Sequence, residues 1–157
     1  MVRNNTFFDL DIGIYVSGDY GRFEFTGNYF HHNQIGLKGN FAWRFNFTYN
    51  TLSNNSQGLF LIDCGVLNIT NNSFSHSFGT SIYAEGGALI DISYNNLSQG
   101  YYGVHLNSTF WVYVHHNNFY QIVSAYNQPS MCNDTGESNM WFDYISLQGN
   151  YWSNFEW

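Results

Sequence analysis

An Asn, any one residue, then a large apolar residue recurs along the chain. It stands at Asn5-Thr6-Phe7, Asn28-Tyr29-Phe30, Asn50-Thr51-Leu52, Asn72-Ser73-Phe74, Asn95-Asn96-Leu97 and Asn117-Asn118-Phe119. The successive intervals are 23, 22, 22, 23 and 22 residues. Eight residues after four of these Asn come Gly13, Gly36, Gly58 and Gly103, each followed by an aliphatic residue. The fourth repeat slips by one, with Gly79 early and Ile82 late. A near-constant period of this size is the mark of a stacked repeat, because one unit cannot bury its apolar face without its neighbours.

Between these landmarks the apolar residues alternate as in short strands. Ile14, Leu37, Leu59, Ile82 and Val104 align in one column, and Val16, Gly39, Leu61, Ala84 and Leu106 align two residues on. A second sheet reads Phe23, Phe45, Leu67, Ile90 and Val112, followed by Phe25, Phe47, Ile69, Ile92 and Val114. A third reads Phe7, Phe30, Leu52, Phe74, Leu97 and Phe119. Three short strands and about three bends in each repeat leave no room for a helix, and a chain turning one circuit per repeat buries its columns only by stacking the circuits. The expected fold is all-β: a right-handed single-stranded parallel solenoid of about six circuits, spanning 1–157 as one domain. The repeating Asn suits a bend, because it tolerates the left-handed backbone region and stacked amides can hydrogen-bond up a ladder.

The N-x-[FL]…G-[ILV]-x-[LV] circuit resembles the parallel β-helix repeat of pectin-lyase-like proteins. It is most similar to the NosD type, periplasmic copper-binding accessory proteins and their surface relatives. Gly149-Asn150-Tyr151-Trp152-Ser153-Asn154-Phe155 resembles the G-N-Y-W-S-D-Y segment of that group, with Asn154-Phe155 in place of Asp-Tyr. The resemblance covers almost the whole chain and implies the fold. It implies no single activity, since the superfamily holds lyases, hydrolases, epimerases and binding proteins.

The repeat breaks once. From Asn117 to Asn150 the interval is 33 residues, and the excess reads as a loop over Asn127–Asn139 that carries Pro129, Cys132 and Asp134. Ile145 and Leu147 precede Asn150 as Val112 and Val114 precede Asn117, so the solenoid is expected to resume there. At the other end the chain begins in mid-circuit, and neither end offers an amphipathic capping helix. Open strand edges are normally covered, so the chain is expected to be a segment of a longer protein or to stack end to end on other copies.

Composition narrows the partners. With 4 Lys+Arg against 11 Asp+Glu and a net charge of −7, the chain lacks the basic surface that nucleic acid demands. No apolar run approaches a transmembrane length, and no signal peptide follows Met1. Eight N-x-[ST] sequons stand at Asn4, Asn46, Asn54, Asn68, Asn71, Asn96, Asn107 and Asn133, where chance would place about three. They serve either as glycosylation acceptors of a secreted protein or simply as bend chemistry. Low charge with abundant Asn, Tyr and Ser favours an extracellular or cell-surface setting. Cys64 and Cys132 form a disulfide only if the inserted loop folds back about 14 Å across three rungs; otherwise they are free thiols.

Chemistry is sparse. Asp63 and Glu85 fall in the same bend on adjacent circuits and are the two carboxylates to weigh for a glycosidase or a calcium site. The four basic residues, Arg3, Arg22, Lys38 and Arg44, all lie in the first third. His32 and His76 share a column two rungs apart, too far to chelate one ion, and the pairs His31-His32 and His115-His116 point to opposite strand faces unless a bend intervenes. The outward column of the first sheet is Tyr15, Lys38, Phe60, Tyr83 and His105. Its rings either form a stacking platform for a glycan, with Tyr15, Phe60, Tyr83 and His105 as the contacts, or stack on one another and stiffen the sheet.

The expectation is a β-helix glycoprotein without catalytic activity, cofactor or metal, structural or adhesive, meeting glycans or other copies of itself. The alternatives are a polysaccharide-active lyase, hydrolase or epimerase using Asp63 and Glu85, and a NosD-like periplasmic copper-handling protein.

Overall fold

A computed structural model describes residues 1–18, 21–120, 122, 132–143 and 145–152. Three parallel sheets of six, six and seven strands wrap one core, with successive circuits hydrogen-bonded to one another. The first sheet stacks Ile12–Ser17, Ile35–Asn40, Gln57–Ile62, Thr80–Glu85, Tyr102–Asn107 and Cys132–Asp134. The second runs from Val2–Arg3 to Phe110–His115, and the third from Thr6–Phe8 to Tyr151–Trp152. The expected register holds at each column: Ile82 lies beside Leu59 and Val104, Phe47 beside Phe25 and Ile69, Phe74 beside Leu52 and Leu97.

The columns close the interior completely. Leu37, Leu59, Ile82 and Val104 from the first sheet, Phe45, Phe47, Ile69 and Ile92 from the second, and Phe30, Leu52, Phe74 and Leu97 from the third are fully buried. Large and small side chains alternate across the core: Gly39 leaves the space taken by Leu61 and the Cys64 sulfur. The glycine column has the same cause. A Cβ on Gly36 would stand 2.7 Å from the Gly58 carbonyl oxygen and 2.9 Å from Leu52 Cδ2. In the slipped fourth circuit that position is Ser81, buried, with its hydroxyl 3.2 Å from the Ser77 hydroxyl. The extra residue falls in the bend ahead of Thr80.

The repeating Asn form one continuous ladder. Asn28 Nδ2 donates to Asn50 Oδ1 at 3.0 Å, Asn72 to Asn95 at 3.0 Å, Asn95 to Asn117 at 3.0 Å and Asn117 to Asn150 at 3.0 Å. Each Oδ1 also accepts the backbone N–H of the Asn below, and each amide donates to a carbonyl of the second sheet, as Asn72 does to Phe47 at 2.8 Å. The left-handed residue is not the ladder Asn but the one before it: Asn4, Gly27, Tyr49, Asn71, Tyr94 and His116 have φ between 54 and 66°. This geometry swings the ladder side chain inward and the preceding one out to solvent. A second, shorter ladder runs from Asn33 to Asn55 at 3.0 Å at the bend into the first sheet, where Asn54 and His32 take the positive φ.

The break in the repeat differs from expectation. Residues 127–131 of the expected loop lie outside the described residues, but Cys132–Asp134 are a strand of the first sheet, paired Val104 with Cys132 and Leu106 with Asp134. The second sheet continues through Met140, whose N–H donates to the Val112 carbonyl at 2.8 Å and whose carbonyl accepts from Val114 at 2.7 Å. The edge is therefore already occupied, and Ile145 and Leu147 are 79% and 80% exposed in a chain reversal closed by Asp143 N–H to Gln148 oxygen. Their alternation copies the core columns without joining them. Asn150 then rejoins the ladder, and Trp152 stacks on Phe119 at 4.3 Å between centroids.

Candidate functional site

The outward column of the first sheet is in register as expected, with Tyr15, Lys38, Phe60, Tyr83, His105 and then Asn133 on successive circuits. The rings spend their faces on one another. Phe60 and Tyr83 stack at 4.9 Å and 9°, His105 meets Tyr83 edge-on at 5.1 Å, and Lys38 Nζ lies 5.7 Å over the other side of Phe60. The Tyr83 hydroxyl donates to Glu85 at 2.7 Å, and burial followed by this carboxylate pushes its pKa up. Burial lowers that of His105. Tyr15 stands apart, 54% exposed, beside Lys38.

Asp63 and Glu85 do fall on adjacent circuits, joined by the Asp63 N–H to Glu85 carbonyl bond at 2.8 Å. The Glu85 carboxylate is engaged by Tyr83, and an Asp63 oxygen lies against Gly86. Of the basic residues, Arg3 pairs with Glu24 at 3.6 Å, while Arg22 and Arg44 line a hollow on the second sheet beside Asn46 and Asn68.

Both cysteines are free thiols. Cys64 is buried at the bend, and Cys132 occupies the core column of Leu59, Ile82 and Val104, three rungs above Leu59. A bridge between them is thus ruled out by the strand register rather than reached by a folded-back loop. Burial raises both thiol pKa values, that of Cys132 strongly.

None of the eight sequon Asn is buried and none belongs to a ladder. Several pair vertically on the surface: Asn68 Nδ2 donates to Asn46 at 2.9 Å, Asn118 to Asn96 at 3.0 Å, and Asn133 Nδ2 lies 3.1 Å from His105 Nε2.

Two constellations escaped the spacing. The bend into the third sheet exposes Tyr49 and Tyr94 by 65% and 57%, two circuits apart, with Asn71 between them. They border an open groove floored by Thr51, Asn71, Ser73 and Asn96. The back of Tyr94 rests on His116 at 4.8 Å and 20°. The second constellation is His115, His116 and Asp143, whose donor atoms all lie within 4.8 Å of one another. A bend does intervene here: φ of His116 is 54°, so the two imidazoles share a side instead of opposing each other. The same holds for His31 and His32, where φ of His32 is 55°. The positive-φ corner was the missing signal in both cases, since it puts on one surface what strict alternation would separate.

With the stacked parallel circuits established, the family match is decisive: the family described as right-handed beta helix region matches residues 1–143. The chain belongs to the right-handed β-helix family. No match was found among curated proteins or solved structures. Among the described residues of this β-helix, no helix is long and apolar enough to cross a membrane.

Proposed function

We propose that this β-helix is a non-catalytic, extracellular or cell-surface protein with a structural and adhesive role, and that its saccharide contact is the groove between Tyr49 and Tyr94. The observation that carries the adhesive part is the pair of exposed rings two circuits, about 10 Å, apart over a floor of amides and hydroxyls. That spacing suits a disaccharide unit, with ring faces for its apolar side and amides for its hydroxyls. The first-sheet strip fits the stiffening role better, because Phe60 and Tyr83 cover each other. The continuous Asn ladder supports a rigid scaffold. Exposed and half-buried sequons suit a glycoprotein, and a glycan on Asn71 would occupy the groove, so the test uses unglycosylated protein.

Affinity electrophoresis through gels containing neutral and acidic polysaccharides tests this. Retardation is expected in at least one gel, lost in the Tyr49→Ala/Tyr94→Ala double variant and kept in Phe60→Leu. Retardation that survives the double variant but disappears with Tyr15→Ala or Tyr83→Ala would return the site to the first sheet. Contact between copies belongs to the same proposal: negative-stain images of the intact protein should show threads with a subunit repeat of about 29 Å.

A further inference from the structure

His115 and His116 face each other through Nδ1 atoms 2.7 Å apart. Their other nitrogens already face oxygens: His115 Nε2 lies 3.5 Å from Asp91 Oδ2, and His116 Nε2 lies 2.9 Å from Gln148 Oε1. The Gln148 oxygen is within hydrogen-bond reach of His116 Nε2, and the Asp91 carboxylate lies at ion-pair distance from His115 Nε2. At 2.7 Å the Nδ1 pair is a hydrogen bond from one imidazole to the other, so the two nitrogens converge on one point, where a metal ion would take the place of the shared proton. A carboxylate completes the set. Asp143 reaches the same point, its donor atom within 4.8 Å of those of the two histidines.

The surroundings hold each of the three donors in place. Asp91 is fixed by the Ser93 hydroxyl at 2.5 Å, and Tyr94 stacks on the His116 ring. Asp143 accepts from Ile145 N–H at 2.9 Å and from the Ser146 hydroxyl at 2.6 Å, within the reversal that also delivers Gln148 to His116. A His ligand whose second nitrogen donates to a carboxylate or amide oxygen is the usual support of a metal-binding imidazole.

We infer that His115 Nδ1, His116 Nδ1 and Asp143 form a binding site for a divalent transition metal of the zinc class, which clips the chain at Asp143 to the corner at the end of Phe110–His115. Two imidazoles and one carboxylate suit zinc in a tetrahedral site with one open position. Zn–N bonds of about 2.0–2.1 Å set the two nitrogens about 3.3 Å apart, a short opening from the present separation. The chain contains its own comparison: His31 and His32 repeat the facing Nδ1 pair at 2.8 Å, yet among the described residues only the His115 group gathers a third ligand. The site lies behind the saccharide groove, with the Tyr94 ring stacked between His116 and that groove.

Calorimetric titration of the chelator-treated full chain with Zn²⁺ tests the inference, with Co²⁺ absorption as a second readout. One equivalent should bind, with the intense visible bands of tetrahedral cobalt. Asp143→Asn and His116→Ala should each weaken binding at least about tenfold, and His31→Ala/His32→Ala should leave it unchanged. Metal-free melting curves verify that Asp143→Asn stays folded, and zinc should raise the melting temperature of the parent but not of that variant. Absent binding, binding indifferent to Asp143→Asn and His116→Ala, or binding lost with His31→Ala/His32→Ala would overturn it.

Discussion

Asn72 Oδ1 accepts both the backbone N–H and the side-chain amide of Asn50, at 2.8 and 3.2 Å, with both residues buried inside the solenoid. The same amide of Asn72 donates to Phe47 and Thr70 carbonyls and to Asn95. Replacing Asn72 by Ala strands several buried polar groups at once, each costing about 1–3 kcal/mol. Asn72→Ala should therefore destabilise by about 3 kcal/mol or more, while Asn68→Ala on the surface should stay within about 0.5 kcal/mol. Urea denaturation of the two variants beside the parent measures the contrast.

The glycine column makes a steric prediction. Gly36→Ala puts a methyl 2.7 Å from the Gly58 carbonyl oxygen and 2.9 Å from Leu52 Cδ2, so the Leu52 side chain must shift and the backbone of the adjacent first-sheet strand must give way. Overpacking of this kind costs about 1–3 kcal/mol. Gly100→Ala, whose nearest atoms are 3.4 Å away, should be close to neutral in the same denaturation series.

Ring stacking along the first sheet predicts coupling rather than independent surface residues. In a double-mutant cycle, Phe60→Leu and Tyr83→Leu should share about 0.5–1.5 kcal/mol of interaction energy. A cycle that closes to zero would remove the stiffening role of this column.

The buried thiols set an alkaline limit. Burial pushes the Cys64 pKa up and that of Cys132 further, so the folded state favours the neutral thiols. A raised acid contributes stability that is complete below the ordinary thiol value near about 8.5 and is lost as the pH climbs toward the raised folded value. The denaturation midpoint should fall above that pH, and less steeply in Cys132→Ala. Both thiols should react slowly with a thiol reagent in the native state and rapidly once unfolded.

Much of the fold was legible because a solenoid writes its architecture as spacing. One interval of 22 or 23 residues, one Asn and three alternating columns were enough to place Phe74 on Leu52 and Ile82 on Leu59. What escaped were features one residue wide or dependent on backbone sign. The left-handed corner belongs to Tyr94, not Asn95, and that offset is what brings Tyr49, Tyr94 and the His115-His116 pair onto the surface as groups. Ile145 and Leu147 reproduced the strand pattern, but Met140 had already taken the edge they would have paired with. Cys132 read as loop because the interval was long, although its own three residues continue the first sheet.

The central functional claim separates most directly in a single incubation of the unglycosylated protein with a panel of polysaccharides, following retention of protein and release of shortened or unsaturated products together. Retention without product, abolished by Tyr49→Ala/Tyr94→Ala and untouched by Asp63→Asn and Glu85→Gln, is the predicted result. Product release that disappears in Asp63→Asn or Glu85→Gln, or no retention on any polysaccharide, would contradict it.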